Sequence, residues 1–547
     1  MHGLMMHMPL LISGILRSAA DKHGATEIVT RTVEGPIHRY TYADAHKRAK
    51  RIARALQKLG VQQGDRVGTL AWNTHRHFEL YYGIAGMGAV CHTVNPRLHP
   101  GQIAYIVNHA EDAVLFVDLT FVPLVEQLLP ELKTVRHVVV MTDAAHMPKS
   151  LPNALCYETL VAKADDDFAW PVLDELLASQ LCYTSGTTGN PKGVLFSHRS
   201  MVLLALTVCL PDSKAIAGRD CLLPAVPMFH VNAWGLPYAA ALSGAKLVLP
   251  GPKLDGASLC ELMEAERVTV SAGVPTVWFG VLDHLRTSGK RLPAFERVLI
   301  GGSAVPLAMI KAFEEEFDVR VWHAWGMTEM SPAGTVNQPN NRQQDETPAQ
   351  QYARQVKQGR AVFSVEMKIV DADGKELPRD GVSIGELKVR GHSVCSGYYK
   401  EPQSASHDAE GWFTTGDVGT IDADGFLQIT DRSKDLIKSG GEWISSIDLE
   451  NIAVGHPEVQ EAAAIAVPHP KWDERPLLVV VRRPGSTVTR EDILRFFDGK
   501  IAKWWLPDDV AFVDELPHTA TGKLSKLTLR QQFRDYVLPT AARTPVA

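Results

Sequence analysis

The stretch YTSGTTGNPKG, residues 183–193, carries three glycines, four Ser or Thr hydroxyls and one lysine. Glycines let backbone N–H groups turn towards an anion, hydroxyls add donors and lysine adds positive charge, so this composition suits a polyphosphate. The usual nucleotide P-loop ends in Gly-Lys-Ser/Thr and opens a helix, whereas here Pro191 precedes Lys192 and residues 194–197 have a strand pattern. The alternative is a flexible surface linker, which the apolar segments on both sides disfavour.

On both sides of this loop, short apolar runs alternate with helical patterns. Such alternation predicts βαβ units and a mostly parallel sheet. Residues 142–175 and 337–358 are polar and irregular, and we expect surface loops there. The predicted strands are 66–72, 89–94, 113–117, 137–141, 194–197, 245–249, 268–273, 297–300 and 319–323, and the predicted helices are 77–87, 103–109, 122–132, 258–266 and 275–284.

The pattern changes twice towards the C-terminus. Runs at 367–370 and 385–390 predict a small β-subdomain, with a hairpin turn at Asp424-Gly425. After a charged break at 431–435 the chain restarts with a pattern of its own. We therefore predict an α/β protein with a large N-terminal domain, residues 1–431, of parallel-rich αβα sheets plus the β-subdomain. A small, mobile α+β domain, residues 432–547, would follow with helix 446–454, strands 459–467 and 477–483, and helix 490–497.

The composition of the chain indicates its cellular location and the classes of partner that it binds. The net charge of −6 argues against a nucleic-acid or anionic-membrane partner. The seven cysteines form no C-x-x-C pair, which indicates reduced thiols in a cytoplasmic protein. No apolar run reaches the roughly eighteen residues that a membrane span needs, and we interpret residues 9–20 as a docking helix rather than a secretory signal.

Two predicted strands run directly into glycine-rich turns. Strand 297–300 leads into Gly301-Gly302-Ser303, and strand 319–323 leads into WGMTE at 325–329. Open α/β sheets bind ligands at such strand ends, so both turns are candidate site segments. Ser303 lacks the G-x-S-x-G spacing of a nucleophile elbow, which disfavours acyl-enzyme chemistry at that residue.

Five motifs in a fixed order carry a family resemblance. They are YTSGTTGNPKG, WGMTE, TGD at 415–417, DRSKDLIKSGGEWIS at 431–445 and TGKLSK at 521–526. The set resembles the adenylate-forming superfamily of acyl-CoA synthetases, luciferases and peptide-synthetase adenylation domains, from about residue 10 to 535. The forms IKSGGEWIS, FHVNAWG at 229–235 and KWDERP at 471–476 are most similar to medium-chain fatty acid and 3-methylmercaptopropionate CoA ligases.

The resemblance implies a two-step reaction with ATP, Mg²⁺ and CoA. A small carboxylic acid attacks the α-phosphate of ATP and forms an acyl-adenylate, and the CoA thiolate then expels AMP. Such chemistry depends on electrostatic positioning of phosphate charge. The alternatives are an enzyme that loads a carrier protein, a ligase for aryl or long-chain acids, a luciferase-like oxygenase, and a non-catalytic nucleotide-binding protein. A homodimer is the expected assembly.

The resemblance also implies roles for nucleotide-binding residues. Glu329 would contact Mg²⁺ together with Thr184, and Thr328 would donate to the α-phosphate. Asp417 would accept from the ribose hydroxyls beside Arg432, although a lone Asp in such a turn is more often a turn former. Lys523 would bridge the carboxylate and the α-phosphate, with Lys526 as a milder comparison. The full nucleotide-binding set is Thr184, Ser185, Gly186, Thr187, Thr188, Gly189, Lys192, Gly302, Ser303, Trp325, Gly326, Met327, Thr328, Glu329, Asp417, Arg432 and Lys523.

Further residues are implied for the acid, for CoA and for domain movement. His230 and Trp234 would border the carboxylate and the acyl tunnel, although an aromatic side chain at such a position is more often core. With Gly302, Trp325 and Met327 they would form a short apolar pocket without a charge, suited to acids such as 3-(methylthio)propanoate. Lys438 and Gly440 would contact CoA, Lys434 would be the hinge, and His518 departs from the Lys or Arg that relatives often carry near the catalytic lysine.

Overall fold

The computed structural model describes residues 1, 3–184, 190–401, 405–432, 434–439, 442–519 and 523–541. In this part of the chain, four β-sheets carry helices on their faces, and none of the helices has the length and apolar character needed to cross a membrane. Ser185, Gly186, Thr187, Thr188, Gly189 and Gly440, all predicted to bind ligand, lie outside the described residues.

A seven-stranded sheet, counted over the described residues, contains the strand that leads into the glycine-rich stretch. The sheet is parallel except for its last pair, in which Ala178–Tyr183 runs antiparallel to Gly193–Ser197. The stretch therefore joins two paired strands and does not open a helix, as predicted. The spatial order is Leu155–Cys156, His137–Val140, Asp112–Val117, Arg66–Leu70, Val90–Thr93, Ala178–Tyr183 and Gly193–Ser197.

A second sheet has nine strands in the described residues and provides the other half of the large domain. Its inner strands are parallel, and three antiparallel pairings occur at its two edges. The carboxyl ends of the inner strands meet at one edge, where the predicted site turns begin. The order is Arg360–Ala361, Thr335–Val336, Arg320–Trp325, Arg297–Gly301, Val270–Gly273, Cys221–Pro224, Lys246–Leu249, Glu27–Arg31 and Ile37–Thr41.

Two smaller sheets complete the architecture and confirm the predicted fold class. The predicted β-subdomain is an antiparallel sheet of Glu366–Val370, Gly385–Arg390, Phe413–Ile421 and Leu427–Arg432. The C-terminal domain has a sheet of its own, and Arg432 is separated from the first strand of that sheet by four residues. The division at residue 431 stays a prediction. The strands of the C-terminal sheet are Ile437–Ser439, Glu442–Ile444, Val459–His469, Asp473–Arg482 and Asp509–Val513.

The helices pack their apolar faces against these sheets. The predicted docking helix is Ile12–His23, and its Ile12, Leu16 and Ala19 are fully buried. Helix Tyr42–Lys58 begins at a capping box in which Thr41 and Asp44 satisfy each other's backbone N–H groups. The other α-helices are His75–Gly86, Pro100–Ala110, Val122–Leu128, Tyr157–Lys163, His198–Cys209, Leu236–Ser243, Gly256–Glu266, Pro275–Ser288, Leu307–Lys311, Pro348–Gln355, Ser446–Val454, Arg490–Phe496 and Lys526–Gln532, and a short left-handed turn occupies Val231–Trp234.

Both segments predicted as irregular loops contain a helix, so those two expectations were wrong. In the first, Tyr157–Lys163 is anchored by buried Tyr157, whose hydroxyl donates to Glu79 at 2.6 Å. In the second, Pro348–Gln355 begins at a capping box on Thr347. Its inner face is held by polar contacts, among them Arg354 to Asn337 Oδ1 at 2.8 Å. Apolar periodicity cannot detect a helix that is fixed by hydrogen bonds.

Candidate active site

A cavity of about 530 Å³ opens where the inner strands of the nine-stranded sheet end. Strand Arg297–Gly301 leads into Gly302, whose φ of +88° lies in the left-handed region. A Cβ at Gly302 would lie 3.0 Å from a Val274 methyl carbon and 3.5 Å from Lys523 Cε. Only glycine therefore fits this turn without displacing a neighbour, and the predicted position of Gly302 in the site is consistent with the geometry.

Lys523 reaches this cavity from the C-terminal domain. Two hydrogen bonds join Lys523 to Thr519: Thr519 N donates to Lys523 O at 2.6 Å, and Lys523 N donates to Thr519 Oγ1 at 3.1 Å. Burial and the nearby Arg432 cation lower the pKa of Lys523 to about 8, against the opposing effect of Asp417 and Glu329. A residue more than 300 positions after the glycine-rich stretch thus faces the same cavity.

Glu329 also lines the cavity, from the short 3₁₀ turn Thr328–Met330. Its Oε1 accepts a hydrogen bond from the Tyr398 hydroxyl at 2.9 Å, and its side chain is buried. Burial raises the pKa of Glu329 above its ordinary value, although the Tyr398 bond and the cations Arg432 and Lys523 oppose that rise. Among the residues that the structure describes, no cation forms an ion pair with the Glu329 carboxylate at contact distance, and such a buried carboxylate is a costly arrangement that points to a functional role.

Asp417 and Arg432 face each other across paired strands of the β-subdomain. Arg432 Nε lies 3.3 Å from Asp417 Oδ1, and Trp325 Nε1 donates to Asp417 Oδ2 at 2.9 Å. Burial raises the pKa of Asp417, while Arg432 and the Trp325 bond lower it. The indole bond joins the last residue of strand Arg320–Trp325 to the β-subdomain, so the predicted site segments 325–329 and 415–417 are in direct contact.

The two described ends of the glycine-rich stretch are tied together. Thr184 N donates to Lys192 O at 2.9 Å, and Lys192 N donates to Thr184 Oγ1 at 3.2 Å. The Lys192 ammonium lies 4.8 Å from the Tyr398 ring centroid and 3.4 Å from Glu401 Oε2. Thr184 and Lys192 both line the cavity, with Lys192 on the same wall as the tyrosine that binds Glu329.

A left-handed backbone turn shapes the other end of the cavity. Val231, Asn232, Ala233 and Trp234 have φ values of 44°, 54°, 50° and 56°. Left-handed helix costs about 1–2 kcal/mol per non-glycine residue, and such strain is concentrated at functional sites. The turn directs His230 and Trp234 into the cavity. Their contact with the carboxylate and with an acyl tunnel stays a prediction. Burial, with the cations Lys523 and Arg97, lowers the pKa of His230 to about 3, so its imidazole is neutral at pH 7.

Lys214 is a cavity residue that the sequence analysis missed, and it corrects the expectation of a pocket without a charge. Its side chain is 3% exposed, and Nζ donates to the Trp234 carbonyl at 3.0 Å. Burial lowers the pKa of Lys214 to about 7. No sequence signal could have found it, because Lys214 lies in a loop without periodicity and meets Trp234 only in the folded chain.

The other predicted residues divide between the cavity and its surroundings. Trp325, Gly326, Met327 and Thr328 line the cavity. Ser303, Lys434 and His518 line a second cavity of about 290 Å³ between the two domains, which Lys523 also borders. His518 Nε2 lies 3.8 Å from Glu461 Oε1. Lys438 lines neither cavity, and its backbone N–H donates to Glu474 at 2.8 Å.

Comparison with known proteins agrees with this arrangement. The family model for AMP-binding enzymes matches residues 16–399, and the model for the C-terminal domain of these enzymes matches residues 448–523. The chain belongs to the AMP-binding enzymes. The residues brought together in the cavity lie within these two matches or in the segment that joins them.

Two relatives and one solved structure refine this assignment. A 3-methylmercaptopropionyl-CoA ligase of Ruegeria lacuscaerulensis is 52% identical over 540 residues, with 98% of this chain and 99% of the relative covered. A medium-chain-fatty-acid–CoA ligase of Ectopseudomonas oleovorans is 48% identical over 544 residues, with 99% of each chain covered. The crystal structure of the anthranilate CoA ligase AuaEII in complex with anthranoyl-AMP has a TM-score of 0.86 at 26% identity, covering 97% of this chain and 98% of the other. The predicted AMP-forming, ATP-dependent acyl-CoA ligase is confirmed at the level of enzyme class.

Proposed function

We propose that this ligase activates a short- to medium-chain carboxylic acid as an acyl-adenylate and transfers the acyl group to CoA, with Lys523 as the adenylation residue. The observation that carries the proposal is the approach of Lys523 to Gly302 in a cavity that also contains Glu329, His230 and Trp234. The carboxylate would lie between Lys523 and the left-handed turn. There the lysine ammonium balances charge that develops between the carboxylate and the α-phosphate.

The adenosine and phosphate groups would occupy the remainder of the cavity. The Asp417 carboxylate, oriented by the Trp325 indole and Arg432, is suited to accept hydrogen bonds from two ribose hydroxyls. Thr328 would donate to the α-phosphate, and Thr184 and Lys192 would contact the β- and γ-phosphates at the ends of the glycine-rich stretch. Ser185, Gly186, Thr187, Thr188 and Gly189 remain proposed phosphate contacts from the resemblance alone.

Glu329 and Thr184 would contact Mg²⁺ bound to ATP. Mg²⁺ prefers oxygen ligands, usually one or two carboxylates together with substrate phosphates and water. The Glu329 carboxylate fits this preference, because Tyr398 binds one oxygen and no ion pair engages the other among the described residues. The ion would neutralise phosphate charge, and Glu329 would orient it against the transferring group.

We propose 3-(methylthio)propanoate and unbranched acids of similar length as substrates. The cavity of about 530 Å³ must hold the nucleotide phosphates as well as the acid. The Trp234 ring reaches across it, since a Cβ at Gly301 would lie 3.4 Å from Trp234 Cη2. A thioether sulfur resembles a methylene in shape and is polarizable, so it packs well beside an indole.

The substrate prediction is tested with six acids in an assay for ATP-, Mg²⁺- and CoA-dependent AMP formation. We expect 3-(methylthio)propanoate and pentanoate to have the highest kcat/KM, followed by butanoate and hexanoate, with palmitate and 4-coumarate poor. Trp234→Ala should raise the ratio of hexanoate to butanoate about 10-fold, in line with the discrimination of apolar pockets. Exposed Trp472 provides the control, and Trp472→Ala should leave the profile unchanged. Preference for palmitate, or an unchanged profile in Trp234→Ala, would contradict a short pocket.

CoA transfer would require movement of the C-terminal domain around Lys434. The residue lies in the turn between strands Leu427–Arg432 and Ile437–Ser439, where Asp435 N and Leu436 N both donate to Arg432 O. Hinges are short boundary segments of this kind, which absorb changes of φ and ψ. Rotation about this turn would withdraw Lys523 and bring Lys438 and Gly440 towards the cavity as CoA contacts.

Lys434→Pro is expected to slow CoA transfer much more than adenylation, because proline fixes φ and restricts the turn. Pyrophosphate release would measure adenylation, and thioester formation from synthetic acyl-adenylate would measure transfer. Lys434→Ala is the matched control, since it removes the same side chain but leaves the backbone free, and both steps should stay near normal. A hinge at Lys434 is contradicted if the proline variant slows both steps equally or neither.

The cellular location, the assembly and the acyl acceptor stay predictions. Seven free cysteines support a cytoplasmic location, where thiols remain reduced. The homodimer is expected from the sequence alone, and sedimentation of the purified protein would measure the assembly. CoA rather than a carrier protein is proposed as the acyl acceptor, and CoA-dependent AMP release distinguishes the two.

A further inference from the structure

The end of the acyl cavity contains a lysine that the adenylation chemistry does not use. Lys214 is nine-tenths or more buried, lines the cavity and donates one hydrogen bond, to the Trp234 carbonyl at 3.0 Å. Among the described residues no carboxylate pairs with its ammonium, and burial is the cause of its lowered pKa of about 7. An ammonium has three N–H donors, so Lys214 has donors left over after the Trp234 bond.

Lys214 is separated from the reacting groups by a series of residues along the cavity wall. The Lys523 side chain lies against Gly302, the neighbouring Gly301 faces the tip of the Trp234 indole, and Lys214 Nζ is 5.8 Å from the Trp234 ring centroid. The pKa of Lys523 responds to Arg432, Asp417 and Glu329, whereas none of these charges affects the pKa of Lys214. Lys214 therefore lies beyond Trp234, where the tail of a bound acid would end.

A buried N–H donor costs free energy unless it donates a hydrogen bond to an acceptor. The backbone bond to Trp234 accounts for one donor and braces the strained turn. A ligand atom that enters the cavity past Trp234 can supply the missing acceptor, and an all-carbon tail cannot.

We propose that Lys214 forms a tail-recognition subsite that favours carboxylic acids with a hydrogen-bond acceptor, such as a carbonyl oxygen or a thioether sulfur, near the end of the chain. The proposal rests on the proposed acyl-CoA ligase function and deepens it by naming the substrate class. Lys214 acts here as a specificity residue and takes no part in bond making. Because sulfur accepts hydrogen bonds weakly, a carbonyl oxygen at the same chain position should benefit more.

The test uses three acids of matched shape: pentanoate, 3-(methylthio)propanoate and 4-oxopentanoate, with hexanoate and 5-oxohexanoate as a second pair. The readout is the ratio of kcat/KM for the oxo acid to that for its parent. Lys214→Met keeps most of the length of the side chain and removes its donors. Measured at about pH 6, below the Lys214 pKa of about 7, it should lower this ratio about 10–100-fold in at least one pair, as expected for a hydrogen bond to a charged donor. The thioether acid should lose less than the oxo acid. Lys253→Met, at an exposed lysine, should leave every ratio unchanged.

A purely structural role predicts a different result. If Lys214 only braces Trp234, Lys214→Met lowers kcat/KM for oxo and parent acids by the same factor in both pairs, and the proposal is overturned. Lys214→Gln, which retains a neutral donor, should restore part of the ratio and serves as the readout if the methionine variant does not fold. If the unmodified enzyme forms no CoA-dependent AMP with any of the parent acids, the proposed function fails instead, independently of Lys214.

Discussion

Lys523→Ala is expected to lower the rate of acyl-adenylate formation about 10²–10³-fold, the usual effect of removing one preorganised group that stabilises developing charge. Thioester formation from a pre-formed acyl-adenylate should remain close to normal, because Lys523 would have moved away with its domain in that step. ATP–pyrophosphate exchange measures the first step, and release of AMP from synthetic acyl-adenylate with CoA measures the second. Equal losses in both steps would contradict the assigned role.

The fold shows which lysine can serve as the control. Lys526, expected from the sequence to be a mild comparison, is a poor choice because its Nζ lies 2.8 Å from Glu450 in an ion pair whose side chains are only 10% and 16% exposed. Breaking such a pair commonly costs about 3–5 kcal/mol, so Lys526→Ala would affect folding. Lys503 is exposed on the same domain, and Lys503→Ala should leave both steps unchanged.

The same lysine gives the adenylation step a pH dependence. Burial lowers the pKa of Lys523 to about 8, so the ammonium is lost as the pH rises through that value. The kcat/KM of adenylation should fall above about pH 8, and Lys523→Arg should move that fall to higher pH because guanidinium stays charged. A lowered lysine pKa also means that the charged form destabilises the fold at pH 7. Lys523→Ala should therefore not lower the Tm.

The sequence predicted the parallel strands well because burial on both faces leaves continuous apolar runs. Parallel strand 297–300, for example, was placed within one residue of the bounds that the structure has. The turns after these strands were predictable from glycine, since Gly302 occupies a conformation that other residues avoid. These features are local, so a single segment carries enough information.

The features that escaped prediction depend on contacts between distant segments. The bond from Trp325 to Asp417 joins residues 92 positions apart, and helix Pro348–Gln355 is held by polar partners that no periodicity reveals. The strained turn at 231–234 is stable only within its packed surroundings. None of its four residues is a glycine, which would have indicated a left-handed conformation. Lys214 escaped prediction for the same reason, because it is placed in the cavity by its contact with that turn.

Glu329→Gln is expected to lower kcat/KM for Mg·ATP about 10²–10³-fold, similar to the loss of a preorganised electrostatic group. Glutamine retains an oxygen that can accept the 2.9 Å bond from Tyr398, so the change removes the negative charge and keeps the shape. The Mg²⁺ concentration needed for half-maximal adenylation should rise. Glu401→Gln is the matched control, since Glu401 lines the same cavity but is exposed.

Stability should change in the opposite direction to activity. Burial raises the pKa of Glu329, so the folded state holds its proton more tightly than the unfolded state does, and the charged form present at pH 7 is a cost to the fold. Without ligand, Glu329→Gln should therefore have a Tm equal to or above that of the unmodified enzyme. A scan with and without Mg·ATP would measure this, and the ligand should stabilise the variant less because stabilisation follows affinity. A variant with lower Tm and unchanged Mg²⁺ dependence would show that Glu329 has a structural role. If Glu329 contacts the metal–nucleotide complex, its replacement lowers activity while the stability of the ligand-free protein is kept.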